Sequence, residues 1–150
     1  MQLKEFLKKY GTNTTTNFDL IKIAQELNLE PFYYVMRDEI KNLPQTKPII
    51  YVCTNLHKSN QQGIHHSCFT LNNPSSKNFP SKNFFFDSYG LPPTNEVKNI
   101  LGHGTANTFQ VQTPGTKLCG QLSLFVLHQL NQGKPFLEIL LELVEYFQGK

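Results

Sequence analysis

Apolar positions along this chain fall into two rhythms. In the middle they form short dense runs: PIIYVC (48–53), IHHSCFTL (64–71) and KNFFFD (82–87). Each is four to eight residues of β-branched and aromatic character closed off by turn formers, the pattern of a buried strand. TFQVQ (108–112) alternates apolar and polar positions and predicts a further strand. Towards the ends the spacing is helical. Thr16 followed by Asp19 resembles a capping box for a helix over roughly 17–28, whose apolar positions Phe18, Ile21, Ile23, Ala24 and Leu27 form an approximate face. TNEVKNIL (94–101) predicts a short helix. Two more follow at about 118–131 and 135–147, with Gly133 stopping the first and Pro135 at the start of the second.

TNTTTN (12–17) and NNPSSKNFPSKN (72–83) separate these elements as polar loops, and residues 1–16 as a whole read as a polar entry segment. Helix first, strands in the middle and helices last gives an α+β fold: a small mixed central β-sheet flanked by helices, in one domain spanning 1–150. The Leu- and Glu-rich stripe of the last helix is expected to pack on the core.

Composition narrows the class. At 150 residues the chain is long enough to bury a core without staples, and twelve Phe with six Tyr and no Trp predict an aromatic one. A net charge of +3 without a dense basic block allows at most weak contact with nucleic acid. Three cysteines, an odd number, argue against a disulfide framework and for a reducing compartment. No stretch has signal-peptide or membrane-span character. An intracellular monomer is expected.

Three places carry chemistry. Cys119 opens the helix at 118–131, where free backbone N–H groups and the helix dipole favour a thiolate; the alternative is a small buried hydrophobe. In GIHHSCF (63–69), His65 and His66 should point to opposite faces of a strand, so one of them is the candidate general base. In FFFDSYG (84–90), Asp87 is placed either to close an Asx turn or to orient a histidine. A zinc reading competes, since Cys53, His57, His65, His66 and Cys68 lie close in sequence, but they lack paired ligand spacing.

Taken in order, Gly63-Ile64-His65, Phe86-Asp87-Ser88-Tyr89-Gly90 and Gln112-Thr-Pro-Gly-Thr-Lys-Leu-Cys119-Gly120 resemble the adenovirus maturation protease family (adenain). The likeness extends to the related proteases of virophages and Polinton-type elements, in the clan of the SUMO-deconjugating proteases. NFDLIKIAQEL (17–27) and VMRDEI (35–40) resemble the virophage and Polinton branch. The resemblance implies Cys119 as nucleophile, His65 as general base in the family's Gly-x-His frame, Asp87 as its orienting carboxylate and Gln112 as oxyanion donor. His66 stands where the family usually has Trp, and Ser123 where relatives often have a second cysteine.

It further implies a cysteine endopeptidase that cleaves capsid and other virion precursor proteins at glycine-containing sites, in the infected cell and packaged in the virion. No metal or cofactor is implied. Adenain's peptide and DNA activators are the family's possibilities, and Cys53 and Cys68 stand at neither obvious peptide-linking position. The alternatives are a deconjugating protease for a ubiquitin-like modifier and a non-catalytic zinc-binding or interaction domain.

Overall fold

The computed structural model describes residues 1–11, 16–44, 48–57, 65–72, 83–102, 104–112 and 117–148. The loop expected over 72–83, the Gly63-Ile64 pair and the Pro114-Gly115 turn lie wholly or mostly outside these residues. Five strands, β1 (Phe32–Met36), β2 (Ile49–Asn55), β3 (His66–Asn72), β4 (Asn83–Phe86) and β5 (Gly104–Ala106), form one mixed sheet in sequential order. The central pairs β2–β3 and β3–β4 are antiparallel, while β1–β2 and β4–β5 are parallel.

Period-two alternation sorts the side chains of the central strands onto two cores. Tyr51, Cys53, Cys68 and Phe86 face the larger one, which helices α1 (Leu3–Tyr10), α2 (Asn17–Glu26), α4 (Cys119–Asn131) and α5 (Phe136–Phe147) cover. Ile50, Val52, Phe69 and Phe85 face the smaller one, closed by a 3₁₀ segment (Arg37–Asn42) and α3 (Asn95–Leu101). With both faces covered, β2 and β3 are buried almost throughout, which explains their continuous apolar runs. Helix α4 is buried around most of its circumference from Gly120 to Leu127, and Phe125 packs edge-on against Phe6 at 5.4 Å.

The capping box at Thr16 and Asp19 is formed in both directions. On α5, Phe136, Ile139, Leu140 and Leu143 face the core, while Leu137 and Leu141 remain exposed. Two expectations need correction. The first concerns the N-terminal segment: residues 3–10 are helical, and Leu3, Phe6 and Leu7 enter the main core at i, i+3 and i+4 spacing while the lysines stay outside. The second is the strand expected over 108–112, because the ladder there stops at Ala106. The Asn107 side chain takes over, accepting from the Asp87 backbone N–H at 3.0 Å and donating to the Asp87 carbonyl at 2.6 Å. Beyond it Val111 and Gln112 both donate their backbone N–H to the Ser88 carbonyl, so the chain wraps around the Asp87–Gly90 turn instead of extending. Gly90 permits that approach: at φ +72° a Cβ would sit 2.7 Å from the Phe109 carbonyl carbon.

No helix among the described residues is long and apolar enough to cross a membrane.

Candidate active site

Cys119 is the first residue of α4, and Leu118 before it offers no side chain to cap the helix. The thiol therefore sits at the positive end of the helix dipole, in the first turn. Two further groups reach the sulfur from the start of β3. The His66 backbone N–H donates to Sγ at 3.4 Å, and His66 Nδ1 lies 3.9 Å from it. His65 also hydrogen-bonds the thiol through its side chain. Both histidines thus meet the cysteine, against the expectation that a strand would separate them. The ladder begins only at His66, paired with Asn55, so His65 precedes the regular strand and escapes its alternation.

Behind His65 stands Asp87. His65 Nε2 and Asp87 Oδ2 are 2.8 Å apart, and both side chains are nearly excluded from solvent. The other carboxylate oxygen, Oδ1, accepts the Tyr89 backbone N–H at 2.8 Å. The two readings of Asp87 therefore hold together: one oxygen closes an Asx turn and the other meets the imidazole. The turn also carries Tyr89 onto the His65 ring, stacked at 5.1 Å.

Gln112 is buried on the far side of this turn. Ser88 Oγ donates to its Oε1 at 2.5 Å, which sets the amide orientation and leaves Nε2 as donor, 3.2 Å from the Tyr89 hydroxyl. Of the four residues singled out, His65, Asp87 and Cys119 are linked in one hydrogen-bonded chain, and Gln112 is tied to that chain through Ser88 and Tyr89. Ser88 and Tyr89 lie inside the FFFDSYG motif, so their neighbourhood was visible in the sequence. Tyr34, which meets His66 from β1, and Asn55, which donates to the Tyr34 hydroxyl from β2, gave no such signal.

The electrostatics separate the three thiols. Burial, the largest influence on each, raises Cys53 well above its ordinary value and raises Cys68 as well. The same burial opposes a thiolate at Cys119, but hydrogen bonds from His65 and His66 win and pull it from 9.0 down to about 6. His65 responds oppositely. Desolvation disfavours its charge, yet the bonds to Asp87 and Cys119 push it from 6.5 up to about 9. Between those values the resting site is a thiolate beside an imidazolium.

The zinc reading finds no support in the geometry. Cys53 and Cys68 oppose each other in the β2–β3 ladder, fully buried, and among the described residues no group of three or more His, Cys, Asp or Glu is placed to hold a metal ion.

No family model matches the chain, and no curated protein matches it. Among solved structures it is similar to the crystal structure of the ASFV pS273R protease, with a TM-score of 0.60 at 13% identity, over 91% of this chain and 67% of that one. At that identity the likeness speaks for the fold. The adenain and virophage resemblance rests on the sequence motifs alone. The chain has an α+β fold shared with a viral protease, with a cysteine at the start of the helix that runs through its core.

Proposed function

We propose that this protein is a cysteine endopeptidase that cleaves capsid and other virion precursor proteins at glycine-containing sites. The observation that carries the reading is the Asp87–His65–Cys119 chain at a helix N-terminus, with the thiol pulled down and the imidazole pushed up. The fold of a viral protease supports it independently, and the motifs shared with adenain direct it towards virion precursors.

The chemistry follows from the pair. The Cys119 thiolate attacks the scissile carbonyl carbon, and the carbonyl oxygen takes the negative charge. Donors for that oxyanion are the Cys119 backbone N–H and the Gln112 amide, a neutral group that cannot be titrated away. As the tetrahedral intermediate collapses, the C–N bond breaks and the His65 imidazolium gives its proton to the leaving amine. A thioester on Cys119 remains. Water, deprotonated by the now neutral His65, then adds to the thioester and releases the carboxylic acid and the thiolate. Asp87 holds the imidazole ring through Nε2 so that the other nitrogen serves the sulfur. All four groups come from one chain, so the reading takes the enzyme as a monomer needing no metal; a peptide or DNA activator would act on an already assembled pair. Its place of action is the infected cell and the maturing virion.

Peptides copied from virion precursors around glycine test the proposal, alongside peptides ending in Gly-Gly from ubiquitin-like modifiers. The expected result is cleavage of the former with a thioester on Cys119 detectable by mass spectrometry. Preference for the Gly-Gly peptides would move the substrate assignment to deconjugation. Cleavage that persists in Cys119→Ala would remove the proposal altogether.

A further inference from the structure

His66 is unused in the mechanism above, although its ring stands 3.9 Å from the nucleophilic sulfur. What it contributes depends on which nitrogen carries its proton, and the surrounding hydrogen bonds decide that. They form a directed chain that begins at a backbone group. The His57 backbone N–H donates to Asn55 Oδ1 at 3.0 Å, so the Asn55 oxygen is identified and Nδ2 must be the donor on the other side. Asn55 Nδ2 donates to the Tyr34 phenol oxygen at 3.2 Å. The phenol oxygen, supplied with a proton there, directs its own proton to His66 Nε2 at 2.8 Å. The opposite tautomer would aim two donors at the phenol oxygen and leave the phenol proton without an acceptor among the described residues.

From this chain we infer that His66 is held as the tautomer with its proton on Nδ1 and a bare Nε2, and acts as a second N–H donor to the Cys119 sulfur, with Tyr34 and Asn55 as positioning residues. The inference rests on the peptidase reading for its purpose but not for its geometry. It separates two adjacent imidazoles by task. His65, backed by a carboxylate, carries and moves the proton. His66, backed by a phenol, offers a hydrogen bond to the thiolate. Burial, pushing the Tyr34 phenol up to about 12, keeps the phenol proton in place across the working range. The Trp usual in the family carries its one N–H on a larger ring, so His66 brings a different donor to the sulfur. Its edge-on packing against Tyr34, 5.5 Å between ring centres, holds the imidazole in the required plane.

The first test needs no substitution. Nitrogen-15 spectra of the His66 ring in the wild-type protein at neutral pH should show a protonated Nδ1 and a bare Nε2; a bare Nδ1, or protons on both nitrogens, overturns the inference. The second follows iodoacetamide alkylation of Cys119 against pH. In Tyr34→Phe the ring is free to take either tautomer, and the thiol midpoint should rise by about half a pH unit, against about one in His66→Phe, where the donor is gone. If both variants keep the wild-type midpoint while His65→Ala raises it, this inference fails and the peptidase reading stands. If His65→Ala leaves the midpoint unmoved while the ring nitrogens are as assigned, the peptidase reading fails and the tautomer assignment stands.

Discussion

Two polar arms converge on the same sulfur, and they differ in what stands at their far ends. One runs from Asp87 through His65 and ends in a carboxylate; the other runs from Asn55 through Tyr34 to His66 and ends in a neutral amide. Both histidines are buried and adjacent in sequence. Only His65, however, is backed by a charge, and it is pushed up to about 9. The lesson is that an imidazole's role beside a thiol is set by the group one bond behind it.

Removing that asymmetry gives the largest expected effect. Asp87→Asn keeps the shape and deletes the charge, and should lower kcat by about 10²–10⁴-fold on a precursor peptide. The His65 titration, followed by NMR, should fall back towards its ordinary range. A smaller loss, about 10²–10³-fold in kcat, is expected for Gln112→Ala, with Cys119 alkylation unchanged because the oxyanion donor acts only after attack. Ser88→Ala should cost less again, about tenfold, since it frees the Gln112 amide from its set orientation without deleting the donor. The pH profile sharpens the same contrast. Activity should rise as Cys119 loses its proton through about 6 and fall as His65 loses its own through about 9. A profile with only the lower limb would mean that His65 is not the acid that protonates the leaving amine.

How much of this was legible depended on how locally each feature is encoded. The Thr16–Asp19 capping box, the dense runs of β2, β3 and β4 and the start of α4 at Cys119 are written within a few residues of themselves, and they are where the sequence places them. Helix α1 was legible in principle. Leu3, Phe6 and Leu7 have helical spacing, hidden in a segment that its lysines make look polar. Strand β1 was not: all five of its residues are half-buried, so it shows neither alternation nor an apolar run distinct from a loop. The false strand at 108–112 had the right alternation, but Asn107 captures the backbone groups of Asp87 and ends the ladder early. At the candidate site, motif order proposes His65, Asp87, Gln112 and Cys119. The structure joins the first, second and last in one hydrogen-bonded chain, with Gln112 tied to it through Ser88 and Tyr89. Tyr34 was beyond reach because it is 32 residues from His66, and only the parallel pairing of β1 with β2 brings it there.

The order of these residues along the chain has a consequence for the cell that makes it. His65 and Asp87 leave the ribosome first, Gln112 follows, and Cys119 comes last, 53 residues after His66. Until α4 has been synthesised and seated against the sheet, the growing chain holds an imidazole–carboxylate pair with no thiol beside it. The lowered thiol at Cys119 therefore comes into being only with the finished core, because the groups that lower it arrive from β3 once α4 is seated.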